Sequence, residues 1–269
     1  MSTSQSLHPP IGERVTLADY APDYTGDYDK DDAKKQTKAN RDRLRDLQEV
    51  LFAEHKRSLL IVLQAMDAGG KNSTVEHVMR GINPQGVQVS AFGVPTAEEL
   101  DHDFLWRIHH HTPGKGTISI FNRSHYEDVL VVRVENLAPE AVWQRRYDHI
   151  NAFERLLADS GVTILKFFLH ISKDEQKERF QDRLDRPDKH WKFSHGDLDV
   201  RAKWDQYMAA YEDAITRCNT PYAPWYIVPA DKKWYRNMVI SNTIVKALED
   251  LDLQYPQPEP GLDKVVIPD

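Results

Sequence analysis

Residues 59–74 read Leu-Leu-Ile-Val-Leu-Gln-Ala-Met-Asp-Ala-Gly-Gly-Lys-Asn-Ser-Thr, an apolar run that breaks into a small-residue turn, a lysine and hydroxyl side chains. Backbone N–H groups of such a turn, and of the helix that follows it, converge on anionic oxygens. Lys71 adds a mobile positive charge that can follow a phosphoryl group between donor and acceptor. The segment therefore predicts a phosphate-binding loop, with these residues around the phosphates: Ala68, Gly69, Gly70, Lys71, Asn72, Ser73 and Thr74.

The loop departs from the common pattern G-x-x-x-x-G-K-[ST] at two positions. Ala65 stands where the first glycine is usual, and Asn72 separates Lys71 from the hydroxyl residues. Asp67 is an unusual residue for a loop that only surrounds anions, and its carboxylate suits a divalent cation placed between it and the phosphates. A plain strand-to-helix turn is the alternative, since Gly-Gly is ordinary there.

A second polar segment, residues 122–128, follows a predicted strand at 117–121. In a phosphate-loop fold, the strand beside the loop strand delivers a polar residue next to the phosphates. Asn122 and Arg123 hold that position, and an arginine there can grip phosphate oxygens with two parallel hydrogen bonds. A surface turn of mixed charge is the alternative.

A third segment concentrates basic side chains. Arg179, Arg183 and Arg186 are spaced i, i+4, i+7 and are expected on one helical face, with Lys189 and Lys192 just beyond Pro187. In phosphoryl-transfer enzymes such a segment often closes over the phosphates as a lid, here placed at about 178–200. A solvated helix with charges of both signs is the alternative.

The elements around these segments alternate between strands and helices. Strands are predicted at 58–66, 87–92, 117–121, 162–169 and 225–228, and helices at 30–55, 71–81, 139–160, 172–184, 197–217 and 234–253. Most of the strands are continuous apolar runs, which favours an α/β fold with a parallel sheet covered on both faces. We predict an extended arm at 1–28, a single domain at 29–255 and a tail at 256–269. Trp204, Tyr207 and Tyr211 are expected to form a core stripe.

Composition narrows the function classes. A net charge of −7 and a pI near 5.9 argue against a general nucleic-acid binder, so a polyanionic substrate needs a local basic cluster or metal ions. No apolar run approaches the roughly 20 residues of a membrane span, and the start shows no signal peptide. The single cysteine, Cys218, excludes an internal disulfide framework. These features predict a cytoplasmic protein without a membrane or nucleic-acid partner.

Taken together, these segments make the chain resemble the second family of polyphosphate kinases, from about residue 30 to 255. Residues 66–71 match the Asp-containing phosphate loop of that family, residues 122–127 its second motif, and residues 179–193 and 224–225 its lid and late strand. The resemblance implies a P-loop kinase-like, thymidylate-kinase-like α/β/α sandwich with a five-stranded parallel sheet and a helical lid. It implies that Asp67 binds Mg²⁺, or Mn²⁺ in its place, that Lys71 and Arg123 neutralise the transferring phosphoryl group, and that Arg183 closes from the lid. It also implies phosphate contacts from Arg179, Lys189 and Lys192. Asp197 matches a family position too, although its reading as a helix cap is equally good.

Asn122 departs from the family pattern, in which many members have aspartate. Paired with Glu127, it resembles the subgroup that phosphorylates both AMP and ADP, so these two residues are expected to bind the nucleotide. A neutral Asn122 repels a second acceptor phosphate less than a carboxylate would. The expected activity is reversible, Mg-dependent transfer from polyphosphate to ADP and AMP, with guanine nucleotides open and a homodimer or homotetramer implied. The rivals are an ATP-dependent kinase of nucleotides or small metabolites, and a nucleotide-binding switch protein.

Overall fold

The computed structural model describes residues 7–268, apart from the side chain of Asp263, and is built around one parallel sheet. Its strands are β1 (Ser58–Gln64), β2 (Val87–Ala91), β3 (Ile118–Asn122), β4 (Val162–His170) and β5 (Trp225–Pro229). They lie in the order β2-β3-β1-β4-β5, and every neighbouring pair is parallel. The predicted five-stranded parallel sheet is confirmed, with the loop strand β1 at its centre.

Helices cover this sheet on both faces, as the apolar strands require. They are α1 (Lys30–Glu54), α2 (Lys71–Val78), α3 (Ala97–Asp101), α4 (Trp106–His109), α5 (Val131–Val134), α6 (Glu140–Asp159), α7 (Lys173–Asp185), α8 (Gly196–Ala202), α9 (Trp204–Cys218) and α10 (Lys233–Glu249). Every residue of β1 is buried. Helix α1 packs on α10, which contacts β4 and β5, while α6 packs on α9 and on β4. The three-layer α/β/α architecture is thus confirmed, and so is the aromatic stripe of α9, which is buried.

Several helix ends follow from local chemistry. The Ser172 hydroxyl accepts a hydrogen bond from the Glu175 N–H and so starts α7 where the sequence predicted. At the other end, α7 stops at Asp185, because Pro187 biases the preceding residue away from helical angles. Arg186 accordingly adopts φ −113° and ψ 109°. It therefore leaves the face of Arg179 and Arg183, contrary to the expected spacing, and pairs with Asp188 instead.

The prediction of one helix over 197–217 is wrong. The chain forms α8 and α9, separated at Lys203, whose φ of −95° and ψ of 22° are not helical. The two helices contact different parts of the fold. Arg201 of α8 donates to the Lys173 carbonyl and to Gln176 of α7, whereas Lys203 pairs with Glu135 and Trp204 enters the core. Contacts with other parts of the fold produce this break. The sequence has no glycine or proline there that would predict it.

The two chain ends differ in how they meet this core. Residues 1–6 of the predicted arm lie outside the described residues, whereas Val15 and Leu17 are buried and their N–H groups donate to Thr216 and Glu212 of α9. The tail is exposed; Val266, for example, is 86% exposed. Within the described residues, no helix has the length and apolar character needed to cross a membrane.

Candidate active site

The predicted phosphate loop lies at the carboxyl end of β1, in the middle of the sheet. Its backbone turns through left-handed angles at Ala68 (φ 60°) and Gly70 (φ 102°) before α2 begins at Lys71. Gly69 is required by space, since a Cβ there would lie 2.5 Å from the Ala65 Cβ and 2.8 Å from the Met66 carbonyl oxygen. A left-handed alanine costs roughly 1–2 kcal/mol, and such strain concentrates at functional sites. The loop is a built feature rather than a generic turn.

Side chains from two helices, α2 and α7, hold this backbone. Lys71 Nζ donates to the Ala65 carbonyl at 2.8 Å, across the loop. Gln176 and Arg179 of α7 donate to the carbonyls of Asp67 and Ala68, each at 2.9 Å. The Gly69 N–H also donates to the Met66 carbonyl at 3.0 Å, so hydrogen bonds within the protein fix the shape of the turn.

Arg123 reaches the loop from the neighbouring strand. The register pairs Leu63 of β1 with Asn122 of β3, so Arg123 follows directly beside the loop. It adopts a left-handed φ of 61°, its N–H donates to the Leu63 carbonyl, and its guanidinium lies 3.1 Å from the Asp67 carboxylate. The alternative of an ordinary surface turn does not fit this geometry.

Electrostatics tie four predicted catalytic residues into one site. Burial lowers the pKa of Lys71, Asp67 opposes that shift, and the positive charges of Arg123 and Arg183 add to it. Although burial opposes it, the carboxylates of Glu127 and Asp67 raise the pKa of Arg123. Each group therefore lies within the field of the others. The structure brings together Asp67, Lys71, Arg123 and Arg183, which the sequence had placed in three separate segments.

These residues line a cleft of about 610 Å³. From the predicted set it contains Asp67, Ala68, Gly69, Gly70, Lys71, Asn72, Ser73, Asn122, Arg123, Arg179, Arg183, Lys189 and Lys192. The Asn122 amide nitrogen donates to the Asn72 side-chain oxygen, which joins the second motif to the start of α2. The cleft is strongly cationic, although the whole chain carries a net charge of −7.

Two predicted ligands lie away from the cleft lining. The Thr74 hydroxyl and N–H both donate to the Gly70 carbonyl, so they hold the loop from inside. Glu127 lies behind the cleft, where burial raises its pKa while Arg123 and Lys71 oppose that shift. In these positions Thr74 supports the loop, and Glu127 supplies charge to Arg123 and Lys71. Their predicted direct contacts with substrate stay predictions.

The basic segment after β4 also lines the cleft, through Arg179, Arg183, Lys189 and Lys192. Arg183 Nη1 lies 3.1 Å from the Asp197 carboxylate and also donates to the Lys192 carbonyl. Asp197 sits inside the first turn of α8, whose N-cap is His195, so the helix-cap reading of Asp197 is wrong. The Arg179 guanidinium, by contrast, donates hydrogen bonds to the Glu175 carboxylate and to backbone carbonyls, including that of Ala230 at 2.6 Å. Arg179 therefore fastens the loop in addition to lining the cleft.

Sequence reasoning missed several residues of the site. Arg236 of α10 is buried beneath the loop, where it donates to the Ser73 hydroxyl at 3.0 Å, and burial lowers the pKa of its guanidinium. Its Nη1 has no hydrogen-bond partner among the described residues. Gln176 was missed too, along with Trp191 and Lys233, which line the cleft. The sequence does contain an indication that Lys233 belongs to the site, because a Lys232-Lys233 pair is unusual at a helix start.

The carboxylates of the cleft decide whether a divalent cation could bind there. Asp67 faces the cleft from the loop, and burial together with the nearby charge of Asp67 raises the pKa of Asp197. Within residues 7–268, no cluster of three His, Cys, Asp or Glu side chains could hold a metal on protein ligands alone. Mg²⁺ usually binds through one or two carboxylates, with waters and substrate phosphates completing its shell. Asp67 fits that mode of binding.

Comparison with known proteins places this geometry in context. The family description "Polyphosphate kinase 2" matches residues 27–256. The chain is 61% identical over 225 residues to an AMP/ADP-polyphosphate phosphotransferase of Meiothermus ruber, covering 84% of each protein. It is 42% identical to an ADP-polyphosphate phosphotransferase of Rhodopseudomonas palustris, covering 95% of this chain and 93% of that one. A crystal structure of Polyphosphate Kinase 2 from Arthrobacter aurescens TC1 superposes with a TM-score of 0.93 at 45% identity, over 98% of this chain and 96% of that one.

Proposed function

Because the chain belongs to the Polyphosphate kinase 2 family and is a phosphotransferase, we propose that it transfers the terminal phosphoryl group of inorganic polyphosphate to ADP and to AMP. The products are ATP and ADP, respectively. One observation carries the proposal: Lys71, Arg123 and Arg183 converge on a single cleft beside the strained loop and Asp67. The names of the Meiothermus and Rhodopseudomonas relatives, an AMP/ADP-polyphosphate and an ADP-polyphosphate phosphotransferase, support the choice of donor and acceptors.

The reaction exchanges one phosphoanhydride for another. The bond between the terminal phosphorus and its bridging oxygen breaks, and the acceptor's terminal phosphate oxygen bonds to that phosphorus. The acceptor phosphate is largely ionised at neutral pH, with a second pKa of about 6, so it needs no strong base. The equilibrium is close to balanced, which makes the transfer reversible.

Catalysis then rests on position and charge, since phosphoryl transfer leaves little covalent chemistry to the protein. The N–H groups at the start of α2 hold the donor's oxygens, and Lys71 follows the phosphoryl group as it moves. Arg123 and Arg183, which both line the cleft, neutralise its equatorial oxygens. We propose that residues 178–200 act as the lid and that Arg183 exchanges its Asp197 partner for the substrate on closure.

The proposed cofactor is Mg²⁺, with Mn²⁺ able to replace it, held by Asp67 and by substrate phosphates. When bound, the cation neutralises phosphate charge that the protein's own cations leave uncovered. Asp67 also holds Arg123 at 3.1 Å, so the same carboxylate orients a cleft arginine. Guanine nucleotides as further acceptors, a cytoplasmic setting and a homo-oligomer are additional proposals. The exposed apolar side chains of Val265, Val266 and Ile267 supply surface for self-association.

A donor assay tests the proposed function. Purified protein with Mg²⁺, polyphosphate and ADP is expected to form ATP, and replacing ADP with AMP is expected to give ADP. The Lys71→Ala variant is the negative control in both arms. A protein that uses ATP to phosphorylate nucleotides, but forms no ATP from polyphosphate, would be the ATP-dependent kinase instead.

Asn122 is expected to influence the choice between AMP and ADP. In Asn122→Asp, the added negative charge beside Asn72 faces the acceptor phosphates, and ADP brings one more phosphate than AMP. We expect kcat/KM for ADP to fall about tenfold more than kcat/KM for AMP, a difference near 1.4 kcal/mol. Steady-state kinetics with both acceptors measure this ratio.

Asn122→Ala controls for the lost amide, because it removes the hydrogen bond to Asn72 without adding charge. Its losses are expected to be equal for both acceptors. If Asn122→Asp used AMP and ADP in the same ratio as the parent protein, the residue would play no part in acceptor choice.

A further inference from the structure

One side chain of α7, Gln176, joins the phosphate loop to α8. Gln176 lies near the start of α7 and is fully buried. Its amide nitrogen donates to the Asp67 carbonyl at 2.9 Å, and its amide oxygen accepts from Arg201 Nη1 at 3.0 Å. A single amide group therefore makes a hydrogen-bonded link between two segments that are far apart in the sequence.

The two partners explain why glutamine stands at this position. The Asp67 carbonyl can only accept a hydrogen bond, whereas the Arg201 guanidinium can only donate one. A carboxylate at position 176 would lack the donor, and a lysine or arginine would lack the acceptor. Asparagine has both groups, but its side chain is one methylene shorter and would hold them back from both partners. The link thus requires the amide and the length of glutamine.

At the loop end, the bond from Gln176 acts on the backbone around Asp67. The Asp67 carbonyl and the Ala68 N–H belong to one planar peptide, so this bond sets the orientation of the whole plane. Ala68 then adopts a left-handed φ of 60°, a conformation that persists only where surrounding contacts impose it. The Asp67 carboxylate in turn lies 3.1 Å from the Arg123 guanidinium. Gln176 therefore acts on Asp67 and Arg123 through the backbone.

At the other end, α8 carries a second link to α7. Asp197 and Arg201 are spaced i, i+4, which places them on one face of α8. Asp197 lines the cleft and lies 3.1 Å from Arg183 of α7. Burial, and then the negative charge of Asp67, raises the pKa of Asp197. Helix α8 is thus held to α7 at the cleft and again at Gln176.

Arg179, the other α7 side chain that holds the loop, differs from Gln176 in its remaining contacts. It donates to the Ala68 carbonyl at 2.9 Å and to the Ala230 carbonyl at 2.6 Å. Ala230 directly follows β5, so Arg179 ties the loop to the central sheet. Gln176 ties the loop to α8, which begins within the proposed lid. Of these two side chains, Gln176 is the one whose contacts change if α8 moves.

We propose that Gln176 is a positioning residue that couples the lid to the phosphate loop. While α8 lies against α7, Arg201 fixes the Gln176 amide, and the amide holds the Asp67 peptide whose carboxylate orients Arg123. When α8 moves away, the amide loses its acceptor contact and its hold on the loop weakens. The inference rests on the proposed function, because it assigns the lid and Arg123 their parts in phosphoryl transfer.

The test cuts the link at each end. Gln176→Met removes both bonds of the amide, and Arg201→Met removes the bond from α8, while methionine keeps side-chain length and helix propensity. The double variant combines the two changes. Gln181→Met is the matched control, since Gln181 is an exposed glutamine of the same helix. Steady-state ATP formation from polyphosphate and ADP gives kcat and KM, and thermal melts check that each variant is folded.

Gln176→Met is expected to lower kcat about 10²-fold and Arg201→Met about tenfold, the range found when a supporting contact of a reactive group is removed. KM for ADP should stay within about threefold of the parent value, because both side chains lie outside the lining of the cleft. In the Gln176→Met background, Arg201→Met should lower kcat by less than about twofold, since the link is already cut. The Gln181→Met control should stay within about twofold of the parent kcat.

Purely structural roles for the two residues would instead multiply, to a loss of about 10³-fold in the double variant, and this result would overturn the proposal. Arg201 is only partly buried, so Arg201→Met remains informative even where Gln176→Met fails to fold. An Arg201→Met protein with kcat within about twofold of the parent would also overturn the proposal.

Hydrogen exchange tests the coupling without any substrate. The Gly69 N–H donates to the Met66 carbonyl at 3.0 Å and so reports the order of the loop. Its exchange is expected to be about tenfold faster in Arg201→Met, although Arg201 lies on α8, and unchanged in Gln181→Met. Equal Gly69 exchange in the parent and Arg201→Met proteins would overturn the coupling. A parent protein that forms no ATP from polyphosphate would contradict the proposed function, while the exchange measurement would still decide whether α8 and the loop are linked.

Discussion

Replacing Lys71 with alanine is expected to lower kcat for ATP formation by about 10³-fold, the upper range for loss of one preorganised charge-stabilising donor. Lys71 begins α2 and lies in the fields of Asp67, Arg123, Glu127 and Arg183. Its Nζ now donates to the Ala65 carbonyl at 2.8 Å, which keeps it beside the loop until substrate arrives. Neither arginine is expected to replace it, because Arg123 follows β3 and Arg183 lies on α7, away from the start of α2. Single-turnover rates with polyphosphate and ADP measure the loss.

Lys189→Ala is the matched control for this prediction. Lys189 also lines the cleft, but it stands on the proposed lid, and its Nζ is paired with Asp182. We expect less than a tenfold loss of kcat, since its charge is already compensated. A Lys71→Ala enzyme that kept at least one tenth of the parent kcat, with an unchanged melting temperature, would remove Lys71 from the mechanism.

The core of the site was predictable because its signals are local. A buried strand, a Gly-Gly turn and a lysine at a helix start can be read within residues 59–74. The placement of Arg123 beside Asp67 then needs one more step, that β3 neighbours β1, which the parallel α/β pattern favours. The pairing of Leu63 with Asn122 confirms that step.

Other parts depend on contacts between distant segments, and no local pattern reports them. Arg236 stands 163 residues from its partner Ser73, and only the packing of α10 brings it beneath the loop. Gln176 looks like an ordinary polar residue of α7 until its amide is seen to hold the Asp67 carbonyl. The break at Lys203 belongs to the same class, because the flanking helices pack against different partners.

A lysine in the middle of β4 carries the largest expected effect on stability. Lys166 is fully buried, and its three ammonium protons go to Glu154, the Tyr126 hydroxyl and the Cys218 carbonyl, at 2.5, 2.8 and 2.7 Å. Glu154, in turn, accepts from His125 and Tyr126. Although burial alone would raise it, Lys166 and the His125 hydrogen bond hold the pKa of Glu154 below its ordinary value. The ammonium of Lys166 and the carboxylate of Glu154 satisfy each other only while both charges remain.

Lys166→Met is therefore expected to lower the free energy of unfolding at pH 7 by about 3–5 kcal/mol, since it leaves a buried carboxylate without its counter-ion. The deficit should shrink as the pH falls from 7 towards 4. In the parent protein, the depressed pKa of Glu154 adds stability above the unfolded pKa, and this stability is lost in acid. In the variant, burial raises the Glu154 pKa, so protonation relieves the folded state. Urea unfolding at pH 7 and pH 5 measures both effects.

The double variant Lys166→Met, Glu154→Gln separates charge from packing. It removes both ions at similar volume and is expected to recover at least half of the lost stability, whereas Lys115→Met, at an exposed site, should cost under 0.5 kcal/mol. A Lys166→Met protein within 1 kcal/mol of the parent at pH 7 would show that the pair does not stabilise the fold.

The same cluster bears on catalysis. His125 and Tyr126 follow Arg123 by two and three residues, so loosening their hold on Glu154 should release the strained turn that aims Arg123 at Asp67.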